Sequence, residues 1–180
     1  MEKKSNLILY ILTRNLFIKI NQINLMENIS NIYSDLKVNQ FGYVFRDVET
    51  QAKKMEKFFG IPKFNIFEPL ELDTVYRGKV TKYTVKSAFG RLFDNTELEL
   101  IQIVKGTSIH TEFLDQGREG FHHVSFNVNN LSTVIDDFAS KGIEVIQSGK
   151  IIGLKYAYMD TESLLGIILE FSETKRKRRN

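Results

Sequence analysis

The sequence predicts an α+β protein in which two paired βαβββ modules form a curved mixed sheet around a cleft. Three observations predict this fold. Strands with strict polar–apolar alternation recur along the chain, an amphipathic helix follows the first strand of each half, and the same order of elements occurs twice, in residues 38–106 and 120–173. Neither half can bury its sheet alone, so the two modules must pair.

The first module begins with a strand at residues 38–47, where aromatic side chains share one face and Gln40 lies on the other. Asp47 is a good helix N-cap, and Gly60 and Pro62 end the helix that follows. The remaining strands of this module are predicted at residues 64–68, 80–93 and 97–104.

The second module repeats this order, with a strand at residues 123–128 and a helix that Asn130 caps and Gly142 ends. Its remaining strands are predicted at residues 144–148, 156–160 and 165–172. The linker between the modules, residues 107–119, is expected to carry a short helix at 112–115.

Four polar side chains stand opposite the apolar, helix-facing side of the first and last strands of each module. They are Gln40, Glu99, His123 and Glu170. Because successive side chains of a strand point to opposite faces, this strand parity directs all four into the concave side of the sheet. Because buried carboxylates need a partner, two carboxylates, an imidazole and an amide oxygen in one place would suit a divalent cation.

Composition limits the other possibilities. The 180 residues contain 42% apolar and 26% charged residues, which is ordinary globular usage. There is no cysteine, so disulfides and thiolate sites are excluded, and a cytoplasmic location is expected. The net charge of +3 comes largely from the tail, residues 174–180, and we expect neither a nucleic-acid partner nor a membrane partner. Residues 1–37 are interpreted as an N-terminal extension, too interrupted by polar residues for a membrane span.

The chain resembles the vicinal oxygen chelate superfamily, which includes glyoxalase I and methylmalonyl-CoA epimerase. The resemblance covers roughly residues 38–173 and rests on five short motifs taken together. They are Gln-Phe-Gly-Tyr-Val at 40–44, Glu-Leu-Ile-Gln at 99–102, Glu-Phe-Leu-Asp at 112–115, Glu-Gly-Phe-His-His-Val at 119–124 and Gly-Ile-Ile-Leu-Glu at 166–170.

The resemblance implies metal ligands at Gln40, Glu99, His123 and Glu170, the set that parity selects, and often a homodimer. It implies a Zn, Co or Ni ion that polarises a carbonyl while Glu170 or Glu99 moves a proton on the adjacent carbon. We therefore expect a metal-dependent isomerase, similar to methylmalonyl-CoA epimerase and acting on a small-molecule acyl-CoA thioester.

Two alternatives remain open. The Gln/Glu/His/Glu set resembles one form of glyoxalase I (lactoylglutathione lyase), whereas the epimerases usually have histidine and glutamine where this chain has Gln40 and Glu99. A non-catalytic small-molecule-binding protein of the same superfamily is the alternative of another class. An iron-dependent dioxygenase normally requires two histidines and a carboxylate, and Gln40 argues against it.

Other polar residues are given less weight. Parity turns His122 away from the cleft, which favours a packing role, and His110 in the linker is expected at the surface. Arg118 and Lys155 are expected to face solvent, although either would suit a phosphate or carboxylate of a substrate.

Overall fold

The computed structural model describes residues 36–60, 63–92 and 95–174. Most of the predicted N-terminal extension and nearly all of the basic tail lie outside the described residues. The elements in the described ranges are β1 (Val38–Val44), α1 (Val48–Phe59), β2 (Asn65–Ile66), β3 (Leu70–Tyr76), β4 (Lys79–Arg91), β5 (Glu97–Gly106), α2 (Ile109–Asp115), β6 (Gly120–Asn127), α3 (Leu131–Ser140), β7 (Val145–Ile151), β8 (Leu154–Met159), α4 (Glu162–Leu165) and β9 (Ile168–Thr174).

The nine strands of the described residues form one sheet, in the order β2-β4-β3-β7-β8-β9-β6-β1-β5. An additional pairing of β4 with β5 closes this sheet on itself. In each module the first strand pairs in parallel with the last, β1 with β5 and β6 with β9. The modules meet along two antiparallel seams, β1 with β6 and β3 with β7. The predicted α+β class with a curved mixed sheet is confirmed.

Helix α1 covers the outer face of the first module. The Asp47 carboxylate accepts a hydrogen bond from the Thr50 amide at 3.0 Å, and Gly60 ends the helix at φ 63°, as predicted. Val48 and Ala52 are buried in one apolar cluster with Leu98, Leu100, Phe64 and Ala88. The apolar side of β5 is therefore used for helix packing, which leaves its polar side facing inward.

The second module has the same arrangement on its outer face. Asn130 caps α3 by accepting a hydrogen bond from the Thr133 amide at 3.2 Å, as predicted. Phe138 of this helix is fully buried, and its ring centroid lies 5.3 Å from that of Phe171 on β9. Because Phe171 points outward to the helix, its neighbour Glu170 points inward.

Several predicted elements are corrected. Strand β3 (Leu70–Tyr76) was missed, and the strand predicted at 64–68 is paired only at Asn65–Ile66. In β3, the exposed Glu71 and Asp73 alternate with the buried Leu72 and Thr74, and β3 forms a hairpin with β4 whose turn residues, Arg77 and Gly78, have positive φ of 46° and 75°. The last predicted strand begins at Ile168, because the short helix α4 precedes it.

Helix α2 is longer than predicted and joins the interiors of both modules. Phe113 and Leu114 belong to a cluster with Val44 and Ile101 of the first module. Ile109, one turn earlier, packs with residues of the second module, namely Ile146, Tyr156, Tyr158 and Ile168. The linker is therefore part of the core. None of the helices in the described part of the chain has the length and apolar character needed to span a bilayer.

Candidate active site

The closed sheet encloses a cavity of about 830 Å³. This volume is in the range of small-molecule sites. Polar side chains at its inner end come from both modules: Gln40, Glu97, Glu99, His110, Ser125, Tyr158 and Glu170. Phe67, Leu70 and Ile151 line it with side chains that remain partly exposed, and Arg91 contributes a cation. The cavity thus combines apolar walls with a small group of converging polar residues.

His123 lies fully buried at the centre of the polar group. Its Nε2 is 3.4 Å from Glu170 Oε2 and 3.8 Å from Glu99 Oε2. No described residue forms a hydrogen bond with this Nε2. A buried ring nitrogen that faces two carboxylates without a hydrogen bond is unusual, and a bound cation would account for it.

Glu99 is the carboxylate with the most perturbed ionisation. Burial raises the pKa of Glu99 well above its usual value, and the neighbouring carboxylates Glu170 and Glu97 raise it further. Without a cation, the protonated form of Glu99 is therefore favoured. A carboxyl group with a perturbed pKa in a cavity is a candidate for a functional role.

Gln40 lines the same cavity but is hydrogen-bonded to Glu97 and not to the other three predicted ligands. Its Nε2 donates a hydrogen bond of 2.9 Å to Glu97 Oε1, and Arg91 donates to the other oxygen of Glu97 at 3.3 Å. Glu97 was not singled out in the sequence, although it lies two residues before Glu99 on the same side of β5. The structure therefore brings Glu99, His123 and Glu170 together, with Gln40 beside them. Their metal-binding and catalytic roles stay predictions.

A profile of the glyoxalase/bleomycin resistance protein/dioxygenase superfamily matches residues 39–158. The chain belongs to this superfamily. The match extends from β1 to the last residues of β8, and so includes Gln40, Glu99 and His123. The predicted resemblance to the vicinal oxygen chelate (VOC) superfamily is confirmed. No curated protein sequence matches the chain significantly.

Solved structures with the VOC fold include several methylmalonyl-CoA epimerases. A hypothetical protein from Bacillus halodurans is 18% identical with a TM-score of 0.59, covering 81% of this chain and 99% of its own. The epimerase from Mycobacterium tuberculosis is 12% identical with a TM-score of 0.57, and the match covers 77% of this chain and 88% of the epimerase. The epimerase from Streptomyces coelicolor, in complex with 2-nitronate-propionyl-CoA, is 16% identical with a TM-score of 0.52. This match covers 78% of this chain and 98% of the epimerase. At these identities the likeness shows the fold.

The structure corrects the prediction for His122 in this VOC chain. The register between β1 and β6 shifts, so that Gly42 pairs with His123 and Tyr43 pairs with Phe121. His122 is the extra residue of a β-bulge, which breaks the alternation on which parity depends. His122 is buried, and its Nδ1 lies 3.1 Å from Nδ1 of His123.

His110 was expected at the surface and is 2% exposed. Because α2 is part of the core, the face of the helix that carries Ile109 and Phe113 also carries His110 inward. Its ring centroid is 4.9 Å from that of His122. The spacing of buried residues 109, 110, 113 and 114 follows one helix face, and this was the signal that could have placed His110.

Three tyrosines of the cavity wall were also missed. The hydroxyl oxygens of Tyr83 and Tyr156 lie 3.3 Å apart, and the ring of Tyr158 stands edge-on to His123 at 5.1 Å. Burial raises the pKa of Tyr158 well above its usual value, with Glu170 and Glu99 adding to the effect. All three therefore present neutral hydroxyl groups to the cavity.

Arg118 and Lys155 are engaged in ion pairs. Arg118 Nη2 lies 2.5 Å from Glu162 Oε1, and Lys155 Nζ lies 3.0 Å from Glu173 Oε1. Neither of them lines the cavity, whereas Arg91 does and is paired there with Glu97.

Proposed function

We propose that the chain is a metal-dependent isomerase that moves a proton next to a carbonyl group, with an acyl-CoA thioester as substrate, as in the methylmalonyl-CoA epimerases that share its fold. The observation that carries the proposal is the buried Nε2 of His123, which faces, without a hydrogen bond, two carboxylates that line a ligand-sized cavity, Glu99 and Glu170.

The side chains present fit a divalent cation. One imidazole nitrogen and two carboxylates are donors that zinc, cobalt and nickel accept. The hydrogen bond from Gln40 to Glu97 uses the amide nitrogen, so the carbonyl oxygen of Gln40 is the atom that would serve as the fourth donor. When bound, such an ion would polarise a substrate carbonyl oxygen as a Lewis acid.

Glu99 is the residue we assign to proton transfer. Glu99 lines the cavity beside His123, where its carboxylate can take a proton from a substrate carbon as a general base. Glu170 and His123 would then hold the metal ion that polarises the substrate carbonyl. The neutral hydroxyl of Tyr158, which lines the same cavity, is a hydrogen-bond donor for a substrate oxygen.

The lining of the cavity supports an acyl-CoA thioester as the substrate. Phe67, Leu70 and Ile151 offer partly exposed apolar surface along the cavity wall, and Arg91, paired with Glu97, places a guanidinium group there. The Streptomyces epimerase complex with 2-nitronate-propionyl-CoA supports this choice of substrate class.

Metal content and isotope exchange test the proposal together. Protein purified without chelator is expected to contain bound metal by plasma mass spectrometry, and Glu170→Ala is expected to lose the ion held by the carboxylates. The holoprotein should exchange the α-hydrogen of acyl-CoAs with deuterated solvent, and Glu99→Gln should slow this exchange by about 10²- to 10⁴-fold. Glu144→Gln, at an exposed position, is the matched control.

Two other outcomes have defined meanings. Exchange with hemithioacetals of glutathione but not with acyl-CoAs would favour the glyoxalase I-like function. Ligand binding without metal uptake or exchange would contradict the isomerase and favour a small-molecule-binding protein.

A further inference from the structure

The chain contains three histidines, and all three meet at one buried place. His110 comes from α2, while His122 and His123 come from the bulge of β6. They are 2%, 4% and 0% exposed, and one ring nitrogen from each lies within 4.8 Å of the others. Only the combination of the bulge and the inserted helix brings them together.

The ring nitrogens of this cluster are poorly satisfied. Among the described residues, both nitrogens of His110 and the Nε2 atoms of His122 and His123 have no hydrogen-bond partner. The rings touch through a contact of 3.1 Å between Nδ1 of His122 and Nδ1 of His123. Buried polar groups are normally hydrogen-bonded, because an unpaired one costs roughly 1–3 kcal/mol. Several such atoms in one cluster therefore point to a missing ligand.

We propose that His110, His122 and His123 form a transition-metal site of three imidazole ligands beside the carboxylates of the cleft. Three histidines are a ligand set typical of zinc, and imidazole also suits copper and nickel. Ligand nitrogens of a tetrahedral zinc ion lie roughly 3.4 Å apart, so the rings, whose nitrogens lie within 4.8 Å of one another, would have to move closer together to bind it. His110 and Tyr158 line the cavity, which leaves a side of the ion open to small molecules.

This site does not depend on the carboxylates. His123 directs Nδ1 toward His122 and Nε2 toward Glu170, so with an ion at each site its ring would lose the remaining N–H proton to solvent and bridge the two ions as an imidazolate, whereas one ion alone needs only the neutral ring. The proposed isomerase can therefore fail while the histidine site stands, and the reverse also holds.

The decisive protein is the full-length chain carrying Glu99→Gln and Glu170→Gln, which removes the carboxylates and keeps the three histidines. Titration with Zn²⁺ against a chromophoric chelator is expected to show one ion per chain. The electron paramagnetic resonance spectrum of the Cu²⁺ form should show three nitrogen ligands. Adding His110→Phe should weaken binding by more than the roughly 10–100-fold that outer partners of a site contribute. Binding of no ion, or a His110→Phe affinity equal to that of its parent, would overturn the proposal.

A second measurement avoids the risk that the doubly substituted protein does not fold. The unaltered chain is expected to bind two Zn²⁺ ions, and His110→Phe alone is expected to bind one. Circular dichroism spectra that superimpose would show that the fold is kept. An identical metal stoichiometry for the two proteins would overturn the site.

Discussion

The imidazole of His123 occupies the space that a side chain on residue 42 would fill. Gly42 and His123 face each other across β1 and β6. A Cβ atom added to Gly42 would lie 1.8 Å from Cε1 and 2.2 Å from Nε2 of the ring. Glycine at this position therefore lets the ring lie against β1 and directs Nε2 to Glu170.

Gly42→Ala is expected to displace His123. The ring cannot share this space with a methyl group, so we expect a loss of stability of about 1–3 kcal/mol from overpacking. Metal affinity should fall by about 10–100-fold, because the ligand loses its orientation. Thermal unfolding and a competitive metal titration measure the two effects.

Gly90→Ala is the matched control. A Cβ at Gly90 would lie 2.8 Å from the ring of Phe64, in the outer cluster of the first module and away from the metal ligands. It should lower stability by a similar amount and leave metal affinity unchanged. Equal losses of metal affinity in both variants would contradict the specific role of Gly42.

Gln40 and Glu170 are expected to contribute unequally to metal binding. The amide oxygen of Gln40 is neutral, and its nitrogen is held by Glu97, whereas the carboxylate of Glu170 carries charge. Gln40→Ala should weaken binding by about tenfold and Glu170→Ala by about 100-fold or more. Isothermal titration with cobalt compares the two directly, and a larger effect at Gln40 would exclude this ligand arrangement.

Phe113→Ala is expected to destabilise the whole fold. Phe113 is 5% exposed, and α2 links the clusters of both modules, so removal of this ring should cost about 3–5 kcal/mol. Asp115→Ala, at an exposed position on the same helix, should change stability by less than about 0.5 kcal/mol. Urea unfolding of both variants provides the comparison, and a mild effect of Phe113→Ala would mean that α2 docks only loosely.

Glu112 should make stability depend on pH. Hydrogen bonds from Arg77 lower the pKa of Glu112, and the hydroxyl of Tyr76 adds to the effect. Because the folded pKa lies below the unfolded one, the stabilisation is present above the unfolded value and is lost as the pH falls through the folded value. The pair is partly exposed, so Glu112→Gln should cost about 0.5–1 kcal/mol at neutral pH. The difference from wild type should shrink below about pH 4. Urea unfolding across this range checks it, and a constant difference would rule out the ion pair as its origin.

Strand periodicity predicted much of this molecule, because it depends on local geometry. Alternation along β1, β5 and β9 placed Gln40, Glu99 and Glu170 on the inner side of the sheet, and the caps at Asp47 and Asn130 were predicted from their side chains. Prediction failed where the backbone departs from regularity. The bulge at β6 reversed His122, and its position follows from the pairing of two distant strands.

The sequence by itself determined that each half begins with a strand, a helix and further strands, that the helices lie on the outer faces, and that polar positions point inward, since each follows from the period of a helix or strand. Tertiary structure alone decided that β4 pairs with β5 to close the sheet and that α2 enters its core. It also decided that His110 meets His122 and His123, because residues distant in the chain become neighbours only when non-local pairing and burial are satisfied together.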